Sequence, residues 1–115
     1  MPTAVASIYN LSGDQGSTFS FGFQWIQDNN PVDLTNWTGH MQLREKYSST
    51  GWVAEALSTN SSMTLTSSGI VNVTLSKDQM AIPAKNYFYD LDLSSGDFRQ
   101  TLIRGNFTII PEVTR

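Results

Sequence analysis

The stretch Asn86-Tyr87-Phe88-Tyr89-Asp90-Leu91-Asp92-Leu93-Ser94-Ser95-Gly96-Asp97-Phe98-Arg99-Gln100-Thr101-Leu102-Ile103 decides the fold class. Tyr87, Tyr89, Leu91 and Leu93 alternate with Phe88, Asp90 and Asp92, the period of two that gives a strand one apolar and one polar face. Ser94-Ser95-Gly96-Asp97 is turn chemistry, so the residues from Phe98 onward return as the second arm of a hairpin. Gly105 interrupts a run that is otherwise extended to Ile110, which predicts a bulge or a close backbone approach within one long strand.

The same period recurs upstream. Phe19, Phe21, Phe23 and Trp25 alternate with Ser20, Gly22 and Gln24, placing four aromatics on one side of a core strand. Trp37, Gly39, Met41 and Leu43 alternate with Thr38, His40, Gln42 and Arg44, and Val71, Val73 and Leu75 alternate with Asn72 and Thr74. Weaker patterns predict an opening strand over residues 4–11 and short strands within 51–57 and around Met63 and Leu65. Residues 27–36 are dense in turn formers and read as a loop, with Val32 and Leu34 tucked against the core. Ser76 can cap a helical turn or two before Pro83 stops it. Roughly seven or eight short strands at this spacing predict an all-β, antiparallel β-sandwich or small barrel, since each sheet must bury its apolar face against another, and the sandwich is the expectation taken.

Composition bounds the rest. The 115 residues suit one domain spanning 1–115, and a hydrophobic fraction of 39% is enough for a core of its own. Ten acidic and seven basic residues give a net charge of -3 with no basic tract, which argues against a nucleic-acid partner. There is no cysteine, hence no disulfide, thiolate nucleophile or cysteine-held metal. Residues 1–6 lack the charged and apolar regions of a secretion signal, and no apolar run is long enough for a membrane span.

Few residues invite chemistry. His40 is the sole histidine, and its alternation places it on an exposed face as an ordinary surface residue. General acid/base work would need His40 in a pocket with a carboxylate, and a separation beyond about 10 Å would remove that option. Asp90 and Asp92 share a strand face and read as solvated or salt-bridged. Asp14, Asp28 and Asp33 lack the alternating donor pattern of a calcium loop. Phosphate loops, HExxH and GxSxG are absent. The expectation is a non-enzyme with no catalytic, cofactor-binding or metal residues. Trp25 and Trp37 fall in phase with core partners, whereas Trp52 follows an exposed stretch and reads as a surface aromatic.

Three stretches carry a resemblance. They are Phe19 to Trp25, Pro31-Val32-Asp33-Leu34-Thr35-Asn36-Trp37 leading into Gly39-His40-Met41-Gln42-Leu43-Arg44, and Ile82-Pro83-Ala84-Lys85-Asn86-Tyr87-Phe88-Tyr89-Asp90-Leu91-Asp92-Leu93 with the strand ending at Ile110-Pro111-Glu112-Val113-Thr114. Together they resemble small tail or baseplate structural proteins of tailed bacteriophages and prophages, and they are similar to the immunoglobulin-like N-terminal domain of upper baseplate proteins. The resemblance spans about residues 17–115 and is weakest over 46–57.

It implies an immunoglobulin-like sandwich acting as a structural or adaptor subunit of the virion, assembled in the host bacterial cytoplasm. Its partners would be other virion proteins and copies of itself. Trp37, Trp52 and Phe88 are the expected contact aromatics, with Arg44 and Arg104 as charge-pairing residues, because aromatics and arginine are enriched at interface hot spots. The competing expectation is a carbohydrate-binding β-sandwich aiding host-surface attachment, which predicts a concave face with aromatics and convergent polar groups.

Overall fold

Alternation over residues 86–110 produces the longest strand pairing among the described residues. The structure, a computed structural model, describes residues 7–46 and 51–112. Strands β1 (Ser7–Ile8), β2 (Leu11–Asp14), β3 (Phe19–Gln24), β4 (Ile26–Gln27), β5 (Asn30–Pro31), β6 (Thr38–Arg44) and β7 (Ala54–Leu57) precede a 3₁₀ turn at Ser58–Asn60. They are followed by β8 (Met63–Leu65), β9 (Ile70–Leu75), β10 (Asn86–Ser95) and β11 (Phe98–Ile110). Gly96 and Asp97 close the β10–β11 hairpin, with Gly96 at φ 59°, a conformation that glycine adopts without steric cost.

The hairpin shows the close backbone approach expected as one alternative at Gly105, and a bulge at a different residue. Leu91 pairs with Ile103 and Asp92 with Thr101, so Leu102 is the extra residue of a bulge. Gly105 keeps regular register opposite Tyr89; a Cβ there would stand 2.6 Å from the Tyr9 carbonyl oxygen, so its role is close approach of backbones. The bulge re-phases β11, so that Thr101 shares a face with Asp92 and Arg104 shares one with Asp90.

Two main sheets result. The larger runs β1-β11-β10-β6-β7, with β2 also paired to β11, and the smaller runs β3-β9-β8. Pairing is antiparallel except where β1 and β2 lie parallel to β11. A minor β4–β5 hairpin lies within the segment expected as a loop. Because β1 and β2 share one edge and β4–β5 is separate, the eleven segments among the described residues reduce to eight principal strand positions. The expected opening strand begins in residues outside those described, and its described part divides between β1 and β2. The turn expected near Lys46 to Gly51 also falls partly outside the described residues.

The apolar faces of the sheets share one core. Met41, Leu43, Tyr87, Tyr89, Leu91, Leu93 and Phe107 come from the larger sheet, and Met63, Val71, Val73 and Leu75 from the smaller. Each such aliphatic side chain contributes about 1.5–3 kcal/mol when fully buried. The β3 phenylalanines are half-buried and flank this core, because β3 is an edge strand; Phe19 meets Phe107 edge-on at 4.9 Å. Trp25, Trp37 and Phe98 form a chain of T-shaped contacts at 5.5 and 5.7 Å. Leu34 is buried from the connecting loop, as expected, and Val32 packs half-buried beside the core.

Ser76 accepts the Gln79 amide on its side-chain oxygen, and its carbonyl accepts the Met80 amide at 3.0 Å. That single turn is the short capped segment expected at Ser76, and it delivers Met80 to the core. No helix among the described residues is long and apolar enough to cross a membrane.

Candidate functional site

The side of β6 and β10 that turns away from the core carries the polar chemistry. Cross-strand register sets Phe88 beside Arg44, Asp90 beside Gln42 and Asp92 beside His40, while Gln42 also faces Glu55 on β7. With Tyr89 and Arg99, these β6 and β10 residues line an open cleft of about 500 Å³.

Two hydrogen-bonded groups organise it. In the first, His40 Nε2 lies 2.5 Å from Glu55 Oε2, and Gln42 Nε2 donates to the same oxygen at 3.1 Å. Arg44 donates from Nε and Nη2 to Gln42 Oε1 at 3.2 and 2.6 Å. The His40 hydrogen bond holds the Glu55 carboxyl below the usual glutamate range, with partial burial opposing it and the Gln42 bond adding to it.

In the second, buried Asp92 accepts Arg99 Nε at 3.1 Å and Arg99 Nη2 on one oxygen, and Thr101 Oγ1 at 2.6 Å on the other. This carboxylate is fully satisfied, as a buried charge requires. The bond to Asp92 also raises the Arg99 guanidinium further.

Asp90 stands between the two groups and makes no side-chain hydrogen bond or ion pair with any described residue. Its residue is exposed by area, but the cleft partly desolvates the carboxyl. That desolvation, followed by the Asp92 charge, raises its pKa against the pull of Arg44, Arg99 and His40.

The expected sites distribute unevenly. Arg44 and Phe88 are neighbours at the cleft, and Arg104 lies opposite Asp90 on β11. Trp52 is 52% exposed just before β7, as anticipated for a surface aromatic, and it does not line the cleft. Trp37 is half-buried between Trp25 and Phe98, where it completes the packing. His40 does sit on the outward face, but it is half-buried and paired rather than an isolated surface histidine. Its contact with Glu55 means that the separation which would have removed acid/base chemistry is not found. Among the described residues, no three His, Cys, Asp or Glu side chains converge to hold a metal ion.

Glu55 and Arg99 were not singled out from the sequence. The Arg99–Asp92 pair was accessible, because a two-residue turn fixes the nearby hairpin register. Glu55 was not, because the β6–β7 register depends on the intervening connection.

The chain matches no protein-family model and no curated protein sequence.

The outer edges of the larger sheet differ from one another. Along β7, Gln79 Oε1 accepts the Glu55 amide at 2.7 Å and Gln79 Nε2 donates to the Glu55 carbonyl at 2.8 Å. Ser62 Oγ accepts the Leu57 amide at 2.8 Å and donates to its carbonyl at 3.2 Å. These side chains occupy the groups that a further strand would use. The β1–β2 edge instead carries Ile8 at 74% and Tyr9 at 55% exposure, with Ile110 at 43% at the end of adjacent β11.

Proposed function

We propose that this chain is an immunoglobulin-like β-sandwich serving as a non-catalytic structural or adaptor subunit in the tail or baseplate of a phage virion. Support for the fold reading comes from the strand arrangement, with β1 and β2 parallel to the last strand of one sheet and β3-β9-β8 forming the other. Further support comes from Tyr87 near the start of β10, whose hydroxyl donates to the Pro83 carbonyl four residues upstream at 2.6 Å. A tyrosine corner of this form is a hallmark of immunoglobulin sandwiches.

The observation carrying the assembly reading is the contrast between the two sheet edges. Gln79 and Ser62 cap β7, while the β1–β2 side presents Ile8, Tyr9 and Ile110. An exposed apolar edge is a site for strand addition or lateral packing by a neighbour, and capping the opposite edge limits the directions of growth. In a multicopy structure, avidity allows a small contact per subunit to suffice. The virion assignment draws on the resemblance of residues 17–115 to phage tail and baseplate proteins. Its partners are other virion proteins and copies of the chain, brought together in the host cytoplasm.

Quantitative peptide mass spectrometry on gradient-purified particles tests this reading. A fixed copy number relative to the major tail and capsid proteins is the expected result. Absence from purified particles would remove the structural-subunit assignment.

A further inference from the structure

We infer that β3 is a homodimer seam, at which two copies of the chain pair their β3 strands antiparallel about a two-fold axis through Gly22 and join their smaller sheets into one. The seam lies on the β3-β9-β8 sheet and does not rest on the β1–β2 contact of the assembly reading.

Backbone phase shows which groups the β3 edge offers. The Trp25 amide donates to the Gly69 carbonyl at 2.8 Å, whereas the Thr74 amide turns the other way, to the Ser62 carbonyl at 2.8 Å. With Ser20 opposite Thr74 and Phe23 opposite Val71, the ladder bonds to β9 come from Phe19, Phe21 and Phe23. The amides and carbonyls of Ser20, Gly22 and Gln24 therefore point outward, and they have no hydrogen-bond partner among the described residues. Sheet edges are ordinarily guarded by charge, proline, a bulge, shortness or a cap. The six residues of β3 are uncharged and proline-free and run in unbroken register with β9. By contrast, Gln79 and Ser62 cap β7, and β8 has only three residues.

The strand is complementary to itself, which names the occupant. Pairing centred on Gly22 sets Gly22 against Gly22 of the second copy, Ser20 against Gln24, and Phe21 against Phe23. Ser20, Gly22 and Gln24 then take the hydrogen-bonded positions, in phase with their outward backbone groups. Phe21 and Phe23 take the alternate positions, where facing side chains approach most closely and aromatic pairs are favourable. Both rings are half-buried in the single chain, and Phe23 borders an open groove of about 340 Å³ shared with Trp25, Leu102 and Ile103. A second copy covers these rings with rings of its own, and no charge on either strand opposes the contact.

The test is sedimentation velocity of the full chain from about 10 μM to about 1 mM, with a dimer Kd of about 100 μM expected. Ser20→Lys combined with Gln24→Lys sets like charges opposite each other twice per dimer and should weaken association at least about tenfold. That variant also cuts the net charge of -3 by two, so overall repulsion changes in the opposite sense. Ser20→Lys combined with Gln24→Glu sets opposite charges there and should bring the Kd back to within about threefold of wild type. Both positions are exposed, and each variant is checked for wild-type spectral dispersion. In the wild-type chain alone, hydrogen exchange at the Ser20, Gly22 and Gln24 amides should slow as concentration rises. A chain that stays monomeric throughout overturns the inference. So does a dimer that the two double variants affect alike, or exchange at these amides that is independent of concentration.

Discussion

Glu55 and Asp90 link folding to protons in opposite senses on the same sheet face. The Glu55 pKa is lowered in the folded state, chiefly by the His40 hydrogen bond. Its stabilising contribution is therefore present above the unfolded glutamate value of about 4.3 and is lost as pH falls through the lower folded value. The Asp90 pKa is raised, chiefly by burial. Stability consequently falls as pH rises from the unfolded aspartate value of about 3.9 through the higher folded one.

At neutral pH, Glu55→Gln should lose up to about 1 kcal/mol and Asp90→Asn should gain up to about 1 kcal/mol, both limited by solvent screening. Urea denaturation across acid to neutral pH checks the pair. The reverse signs would contradict this electrostatic account. At this scale, alternation alone placed His40, Asp90 and Asp92 outward. The pairing of His40 with Glu55 was not legible, because facing within a strand does not determine which residue lies across on the next.

Among the elements, β7 shows how side chains can close an edge that backbone pairing leaves open. Gln79 reaches Glu55 from the turn after β9, and Ser62 reaches Leu57 from beyond the 3₁₀ turn. Gln79→Ala removes two hydrogen bonds at once and should cost about 1–2 kcal/mol by chemical denaturation. It should also increase concentration-dependent association in sedimentation velocity, since the freed β7 groups can accept another strand. Unchanged stability and unchanged sedimentation would show that the cap has no such role.

The strands around Phe19–Gln24, Thr38–Arg44, Ile70–Leu75 and the final hairpin were readable from alternation and turn residues. The bulge at Leu102 was not. Glycine is the usual sequence mark of such an irregularity, but Gly105 serves instead to admit the Tyr9 backbone. The β4–β5 hairpin was hidden because its two-residue strands are too short to show a period.

For the whole molecule, the mostly antiparallel β architecture followed from many short alternating segments, while the cleft depended on lateral strand order. His40 and Asp92 are far apart in sequence and meet only because β6 and β10 are neighbours. The β1–β2 edge was similarly hidden: Ile8 and Tyr9 read as members of an opening strand, without indicating which side would remain uncovered. In the assembly reading, that apolar edge faces neighbouring subunits and the capped β7 edge limits unwanted association. The cleft lies on a sheet face and can remain accessible while an edge is engaged.

The measurement that tests this account most directly is a cryo-electron microscopy reconstruction of the tailed particle, at a resolution that traces this chain. The predicted result is a symmetric set of copies in the tail or baseplate, with Ile8 and Tyr9 covered by a neighbouring subunit. A particle lacking the chain, or copies whose β1–β2 edge faces solvent throughout, would contradict it.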